Sequence, residues 1–151
     1  MESILVALGR ALGADCVTTD AALLELHGHD WSVVPAQAPL AVVRPRDTAG
    51  IATALRLCHE HNQSVVPQGG RTGVSGGAVP AAGDIALSLD RLSGIEVIDP
   101  AAATMTVWAG TPLEVVQAAA RDAGLFCPLD LGARGSCAIG GNIATNAGGN
   151  R

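Results

Sequence analysis

The sequence predicts a mixed α+β (α/β) fold, and three observations support this prediction. Hydrophobic residues make up 48% of the 151 residues and charged residues 15%, a composition typical of chains that bury a large core. Between residues 41 and 66, short apolar runs alternate with a segment of helical periodicity. Further short runs of apolar and β-branched residues follow between residues 85 and 108. We therefore expect helices packed on sheets within a single domain, residues 1–151.

The segment from Ser3 to Gly13 predicts the first helix. Ser3 is a favoured N-cap, and Gly13 is a favoured C-terminal stop. The residues between them that recur at helical spacing are Ile4, Leu5, Leu8 and Leu12.

Residues 41–66 predict a β-α-β unit. A strand at residues 41–44 ends before Pro45, and Asp47 or Thr48 then caps a helix. A second strand at residues 64–66 leads directly into a glycine-rich segment, which places that segment at the carboxyl edge of the sheet. The predicted apolar face of the helix consists of Ile51, Ala52, Leu55 and Cys58.

Three short strands and a helix are predicted next. The strands are residues 85–88, 94–98 and 104–108, which we expect to pair antiparallel, with a turn at residues 99–101. Thr111 followed by Pro112 has the order of a cap and a first helical residue, and this helix should end at Gly124. Beyond it the sequence predicts mostly loop, with a short helix between residues 141 and 147.

Charge and cysteine content exclude several classes of protein. The net charge is −5, all basic residues are Arg, and no basic run could follow a nucleic-acid backbone. No stretch reaches the ~20 apolar residues of a membrane span. The cysteines show no C-x-x-C spacing, and no secretory signal precedes them, so we predict a reducing, cytoplasmic location. These cysteines are Cys16, Cys58, Cys127 and Cys137.

The first glycine tract, Pro67-Gln-Gly-Gly-Arg-Thr-Gly-Val-Ser-Gly-Gly77, has a composition suited to phosphate binding. It lacks the Lys of a Walker loop and the glycine spacing of a Rossmann fingerprint. The remaining interpretation is a concave nest of consecutive amides that binds anionic oxygens, with hydroxyl donors from Thr72 and Ser75 and charge from Arg71. The alternative is a flexible surface turn. The nest amides would be those of Gly69, Gly70, Arg71, Thr72 and Gly73.

The second tract is Pro128-Leu-Asp-Leu-Gly-Ala-Arg-Gly-Ser-Cys-Ala-Ile-Gly-Gly-Asn-Ile-Ala-Thr-Asn-Ala-Gly-Gly149. With both tracts in this order, the chain resembles the FAD-linked oxidases of the vanillyl-alcohol oxidase superfamily, in the D-2-hydroxyglutarate and D-lactate dehydrogenase branch. The resemblance covers essentially the whole chain. It implies the amino-terminal portion of a PCMH-type FAD-binding domain, with a small β-α-β subdomain and the start of a second mixed-sheet subdomain, incomplete at Arg151.

The resemblance further implies a noncovalent FAD whose diphosphate lies on residues 69–73 and on the backbone of residues 140–142. Several relatives attach the flavin through a His beside the paired glycines, but residue 71 is Arg here. Asp130 would face the isoalloxazine, or alternatively bond its own backbone. Arg134 is interpreted as a surface residue or a structural ion pair. The cofactor-binding residues are predicted to be Gly69, Gly70, Arg71, Thr72, Gly73, Val74, Asp130, Ser136, Gly140, Gly141, Asn142 and Thr145.

The activity implied by the resemblance is oxidation of a D-2-hydroxy acid, such as D-2-hydroxyglutarate, D-lactate or glycolate, with electrons passed to a separate acceptor. The chain itself contains no arrangement typical of a catalytic base. The resemblance implies that the catalytic and substrate residues lie elsewhere in a longer protein, so we expect the 151 residues alone to be inactive. A noncatalytic nucleotide-binding or interaction module remains the alternative.

The remaining candidate residues have structural interpretations. His27, His29, His59 and His61 lack the spacing of a metal site, so we interpret them as solvated or capping residues. Trp31 and Trp108 are interpreted as core or domain-contact residues, and the sequence gives no indication of aromatic stacking on a flavin.

Overall fold

A computed structural model describes residues 2–149 of the chain. A single turn of 3-10 helix, Ala14–Cys16, joins the first helix to the first strand. In chain order the elements are α1 (Ile4–Leu12), β1 (Val17–Thr18), α2 (Ala21–Leu26), β2 (Ala41–Val43), α3 (Thr48–Glu60), β3 (Val65–Gln68), β4 (Ile85–Ser88), β5 (Ile95–Asp99), β6 (Thr104–Val107), α4 (Leu113–Asp122) and α5 (Ile139–Ala144).

The first sheet has four strands in the order β1-β2-β4-β3. β2, β4 and β3 run parallel, and β1 pairs antiparallel with β2 at one edge. The parallel β-α-β unit predicted from residues 41–66 is confirmed, but β4 lies between its two strands. β3 therefore ends at the carboxyl edge of the sheet, and the first glycine tract begins there.

The prediction that β4 pairs antiparallel with the following strands was wrong. All four residues of β4 are buried, which is the pattern of a central parallel strand covered on both faces. The next two strands, β5 and β6, do form an antiparallel pair and make a separate two-stranded sheet. Their turn is fixed by Asp99, whose Oδ1 accepts hydrogen bonds from the amides of Ala101 and Ala102, each at 3.0 Å.

The core lies between the first sheet and the helix pair α1 and α3. Ser3 caps α1 and Asp47 caps α3, as the sequence predicts. The apolar face of α3 differs from the prediction, because Ala52 and Leu55 are exposed. Leu57 packs against the core instead. The buried residues of this cluster are Leu8, Ala41, Val43, Ala54, Cys58, Ile85 and Leu87.

Thr111 does not cap α4, contrary to prediction. Pro112 occupies the N-cap position, and the Thr111 hydroxyl is bound between the backbone groups of Gly94 and Trp108. Thr111 is fully buried, so its side chain ties the β5–β6 sheet to the start of α4. Trp108 is half-buried, whereas Trp31 is 62% exposed and is therefore not a core residue.

Short elements were predicted less well than long ones, because they contain too few residues to show a hydrophobic periodicity. α2 and the two-residue strand β1 were not predicted, and α5 begins two residues earlier than expected. Among residues 2–149, no helix combines the length and hydropathy needed to cross a membrane.

Candidate functional site

The two glycine tracts lie against each other, although the fifty residues 78–127 separate them in the sequence. A Cβ atom placed on Gly70 would lie 1.9 Å from the carbonyl oxygen of Ser136 and 2.8 Å from Cα of Cys137. A Cβ on Gly69 would lie 3.0 Å from Cβ of Ala138. The two backbones therefore approach so closely that residue 70 has no space for a side chain.

The loop after β3 presents a run of free backbone donors. Within residues 2–149, the amides of residues 70–74 donate no hydrogen bond to backbone or side chain. The loop is half-buried at Thr72 and exposed at Gly73 and Val74, so these amides are accessible from solvent. Arg71 adopts a φ of +53°, in the left-handed region that side-chain-bearing residues rarely occupy. Free, exposed amides next to a residue with unusual backbone geometry are typical of an anion-binding loop.

Gln68 fixes the base of this loop. Its side chain is fully buried, and its Nε2 donates to the carbonyl oxygens of His27 (2.8 Å) and Ala78 (2.7 Å). Because both amide hydrogens are used in this way, Oε1 accepts from Nδ1 of His27 at 2.6 Å. Gln68 thus joins the start of the loop to its end at Ala78 and to the residue that follows α2.

His27 is buried rather than solvated, although it does occupy the C-cap position of α2. Burial lowers the pKa of its imidazole below the usual 6.5, and the nearby positive charge of Arg71 acts in the same direction. The hydrogen bond to Gln68 raises the pKa but does not reverse the shift. The ring is therefore held neutral, with its proton on Nδ1.

Asp30 lies beneath the same loop, 8% exposed. Its Oδ1 accepts a hydrogen bond from the Ser32 amide at 2.8 Å, whereas Oδ2 forms no hydrogen bond of good geometry. A Cβ on Gly73 would be 3.7 Å from Oδ2. Burial raises the pKa of this carboxyl, but Ser32 and the nearby amides of Gly76 and Ala78 outweigh that effect and leave it below the usual value. Asp30 is therefore an ionised group against the inner side of the loop.

Arg71 is a half-buried cation that forms no ion pair within residues 2–149. Its Nη1 lies 3.4 Å from Nδ1 of His27, and since that nitrogen carries a proton the contact is not a hydrogen bond. Partial burial lowers the pKa of the Arg71 guanidinium. The negative charge of Asp90 acts on this pKa in the opposite direction, but Asp90 itself binds Arg44 through both oxygens. A partly desolvated cation without a carboxylate beside free amides favours an anionic ligand.

The backbone of the second tract is more engaged than that of the first. The amide of Gly140 donates to the carbonyl of Ala109 at 2.8 Å, and that of Asn142 donates to Ala138 at 3.0 Å. The amide of Gly141 makes no such bond within the described chain, and it lies near Gly69. Of the three backbone donors predicted at residues 140–142, Gly141 is the one available to a ligand.

The predicted side-chain donors of this tract have different surroundings. Ser136 and Thr145 are exposed, and their hydroxyls donate to the carbonyl oxygens of Ala133 (3.3 Å) and Gly141 (2.9 Å). Asn142 is buried, and its Nδ2 lies 3.4 Å from Sγ of Cys137. The two hydroxyls can rotate toward a ligand, whereas the Asn142 amide supports the packing of α5.

Asp130 forms an ion pair with Arg134, whose Nη1 lies 2.9 Å from its Oδ1. The interpretation of Arg134 as a structural ion-pair residue is thus confirmed. Both residues border a shallow cleft of about 270 Å³ that is also lined by Phe126 and Cys127. A second cleft, of about 290 Å³, lies beside α2 and includes no residue of either glycine tract.

Three residues of the site were missed by sequence reasoning: Gln68, His27 and Asp30. No periodicity or motif marks a residue whose role is to bond the backbone of a distant loop. Gln68 lies inside the quoted first tract, so its position directly before the paired glycines was the one available signal. Within residues 2–149 no group of His, Cys, Asp and Glu could hold a metal ion.

Comparison with known proteins identifies relatives of the chain. The profile of the FAD binding domain family matches residues 39–151. A protein of Xanthomonas citri pv. viticola named D-2-hydroxyglutarate dehydrogenase is 46% identical over 97% of the chain. A mitochondrial D-2-hydroxyglutarate dehydrogenase of Bos taurus is 41% identical over 99% of the chain. The chain spans only 31% and 27% of the lengths of these two relatives.

Solved structures share the fold at low sequence identity. An alkyldihydroxyacetonephosphate synthase superposes with a TM-score of 0.84 at 19% identity, over 94% of this chain and 29% of its own. A p-cresol methylhydroxylase with substrate bound superposes with a TM-score of 0.78 at 21% identity, over 93% of this chain and 28% of its own. The arrangement of the two sheets and their helices thus belongs to a fold found in considerably longer proteins.

The contact between the tracts can be tested by adding a methyl group. Gly70→Ala would place Cβ against the Ser136 carbonyl and force the two backbones apart, so we expect a loss of about 1–3 kcal/mol in the free energy of unfolding. Gly77→Ala is the matched control, since nothing lies within 4 Å of its Cβ position. Urea denaturation measures both. Equal stability of the two variants would contradict the close approach.

Burial of neutral His27 predicts a pH dependence of stability. Its folded pKa is lowered, so the unfolded chain binds the proton more readily, and the free energy of unfolding should fall as pH decreases through 6.5. The stabilisation that comes from neutral His27 is fully present above pH 6.5. As the pH falls, one such group can change the free energy of unfolding by at most about 1.4 kcal/mol per pH unit. Urea denaturation between about pH 8 and pH 5 should show a smaller slope in His27→Gln than in wild type or in the exposed control His59→Gln. Three identical slopes would exclude a depressed pKa at His27.

Proposed function

The chain belongs to the family of FAD binding domains, and from this premise we propose that its two glycine tracts together hold the diphosphate of FAD. The observation that carries the proposal is the run of free amides at residues 70–74, beside the second tract at the carboxyl edge of a parallel sheet. A diphosphate needs several convergent donors and close backbone approach, and both are available here. Arg71 supplies a positive charge that no carboxylate of the described chain neutralises.

The proposed contacts follow from which groups are accessible. The first tract contributes the amides of residues 69–73, with Val74 at the exposed end of the loop. The second tract contributes the Gly141 amide and the hydroxyls of Ser136 and Thr145. Gly140 and Asn142 act by shaping the backbone of this tract, and Asp130 is assigned to the isoalloxazine side.

We propose that the flavin is bound without a covalent bond. Arg71 occupies the place where several relatives in this superfamily carry a flavin-linked His, and a guanidinium does not form that bond. Cys137 is buried beneath the second tract and is engaged with Asn142, which removes it from a reactive surface position.

The function proposed for the whole protein is oxidation of a D-2-hydroxy acid to the 2-oxo acid, with D-2-hydroxyglutarate as the first candidate because relatives with 38–46% identity carry that name. FAD, when bound, supplies the acceptor for the substrate α-hydrogen as a hydride. The residues of this chain bind and orient the cofactor, whereas a substrate-binding cation and a base that takes the hydroxyl proton are assigned to residues outside 1–151.

Partners and compartment follow from the same relatives. The proposed partners are the 2-hydroxy acid and a separate electron acceptor. Cytoplasmic location stays a prediction of the sequence, with mitochondria as the alternative suggested by the names of the zebrafish and cattle relatives. A noncatalytic nucleotide-binding module is the competing function, and it shares the phosphate site but not the oxidation.

Removal of the Arg71 charge should weaken FAD binding. In the protein that carries this chain, Arg71→Met should raise the FAD dissociation constant about tenfold or more, because charged hydrogen bonds contribute about 1.5–3 kcal/mol. Arg56→Met is the control, since Arg56 lies on α3 in an exposed pair with Glu60. Titration of flavin-free protein, followed by flavin fluorescence, gives both constants. A wild-type protein that binds no FAD would refute the proposed site.

A substrate panel tests the proposed reaction separately. The FAD-loaded protein should reduce an artificial dye acceptor with D-2-hydroxyglutarate at a higher kcat/KM than with D-lactate or glycolate, and the L-enantiomer should be inactive. Bleaching of the flavin absorbance by substrate without dye reports the hydride transfer itself. Stable FAD binding with no bleaching by any of the three acids would favour the noncatalytic module.

A further inference from the structure

Trp31 is a large exposed aromatic residue held beside the glycine loop. Its backbone amide donates a hydrogen bond to the carbonyl oxygen of Gly73 at 3.0 Å. Its side chain is nevertheless 62% exposed, and the side chain of Val74, at the end of the run of free amides, is 73% exposed. The polar amides of residues 70–74 are therefore bordered by two exposed apolar side chains, those of Trp31 and Val74. Flat apolar surface beside a few convergent polar groups is the usual composition of a nucleotide site.

Trp31 is exposed, whereas three polar residues at the base of the same loop are buried. Asp30 is 8% exposed, His27 3% and Gln68 0%. The contact of Gly70 with the second tract closes the loop at its start. The loop is exposed at Gly73 and Val74, and Trp31 is hydrogen-bonded to Gly73. The backbone of Trp31 is hydrogen-bonded to Gly73, and its neighbour Asp30 is buried. The backbone that carries the indole is therefore held in place.

Trp31 lies at the Gly73 end of the loop, away from the contact of Gly70 with the second tract. The free amides run from Gly70, which touches Ser136, to Gly73, which is bonded to Trp31. FAD carries a flat ring system at each end of its diphosphate. If the isoalloxazine lies toward the second tract, where Asp130 is placed, the adenosine half extends past Gly73.

We propose that the exposed indole of Trp31 stacks on the adenine ring of FAD and makes the site selective for the dinucleotide over FMN. The proposal rests on the FAD site proposed above and extends it to the adenosine half. Stacking between an aromatic side chain and a base requires only flat apolar faces and is strong enough to change affinity by an order of magnitude. It also accounts for a large apolar side chain left exposed next to a polar loop.

The test uses the flavin-free protein that carries this chain, with FAD, ADP and FMN as probes. Trp31→Ala should raise the dissociation constants of FAD and ADP about tenfold and leave that of FMN unchanged. Trp31→Phe keeps a flat ring and should retain most of the FAD and ADP affinity. Val33→Ala is the control, since this exposed residue belongs to the same segment but is not bonded to Gly73. Because both side chains are exposed, all three variants should unfold at the wild-type urea midpoint.

A spectroscopic arm separates stacking from an indirect effect on the loop. ADP does not absorb at the wavelength of indole emission, so stacking on adenine should change that emission in wild type, and the change should be absent in Trp31→Phe although ADP still binds. Unchanged ADP affinity in Trp31→Ala, or an equal loss for FMN and ADP, would overturn the proposal. A wild-type protein that binds none of the three probes would instead refute the FAD site itself.

Discussion

The close approach of Gly70 to the Ser136 carbonyl is the constraint on which the site depends. The loop after β3 and the tract around α5 are joined by bare backbone, because any side chain at residue 70 would overlap with Ser136. Gly140 makes a similar contact with Ala109. This contact packs the start of α5 against the segment that precedes α4. Two glycines therefore bring together the parallel strands of the first sheet and the segment around α5 from distant parts of the sequence. The exposed amides of the first tract lie next to the place where the two tracts meet.

Buried polar residues hold the first glycine loop in its conformation. The side chain of Gln68 donates hydrogen bonds to Ala78, at the end of the loop, and to His27, which follows α2. Asp30 lies beneath Gly73 as an ionised group. A carboxylate so close to a phosphate loop would oppose an anion, and the uncompensated charge of Arg71 offsets it. The bonds of Gln68 hold the loop in shape before a ligand arrives, so little ordering remains to be done on binding.

Much of the fold could be predicted from the sequence, because caps and periodicity are local. Ser3 and Asp47 fixed two helix starts, and the glycine motifs identified the family. The place of β4 could not be predicted, because pairing order depends on which strand is buried on both faces, and a four-residue apolar run does not reveal this. The convergence of the two tracts followed from their motifs. The supporting bonds of His27 did not, because a residue that serves a distant backbone carries no local pattern.

The central position of β4 determines how this chain reaches its native state. Because β2 and β3 each pair with β4 and not with each other, the first half of the polypeptide can form only the short β1–β2 pair when it leaves the ribosome. The parallel part of the sheet must wait until Ser88 has emerged, and closure over that sequence distance slows the search. Until then β3 has no partner strand, which makes this interval the one in which a chaperone would be most useful.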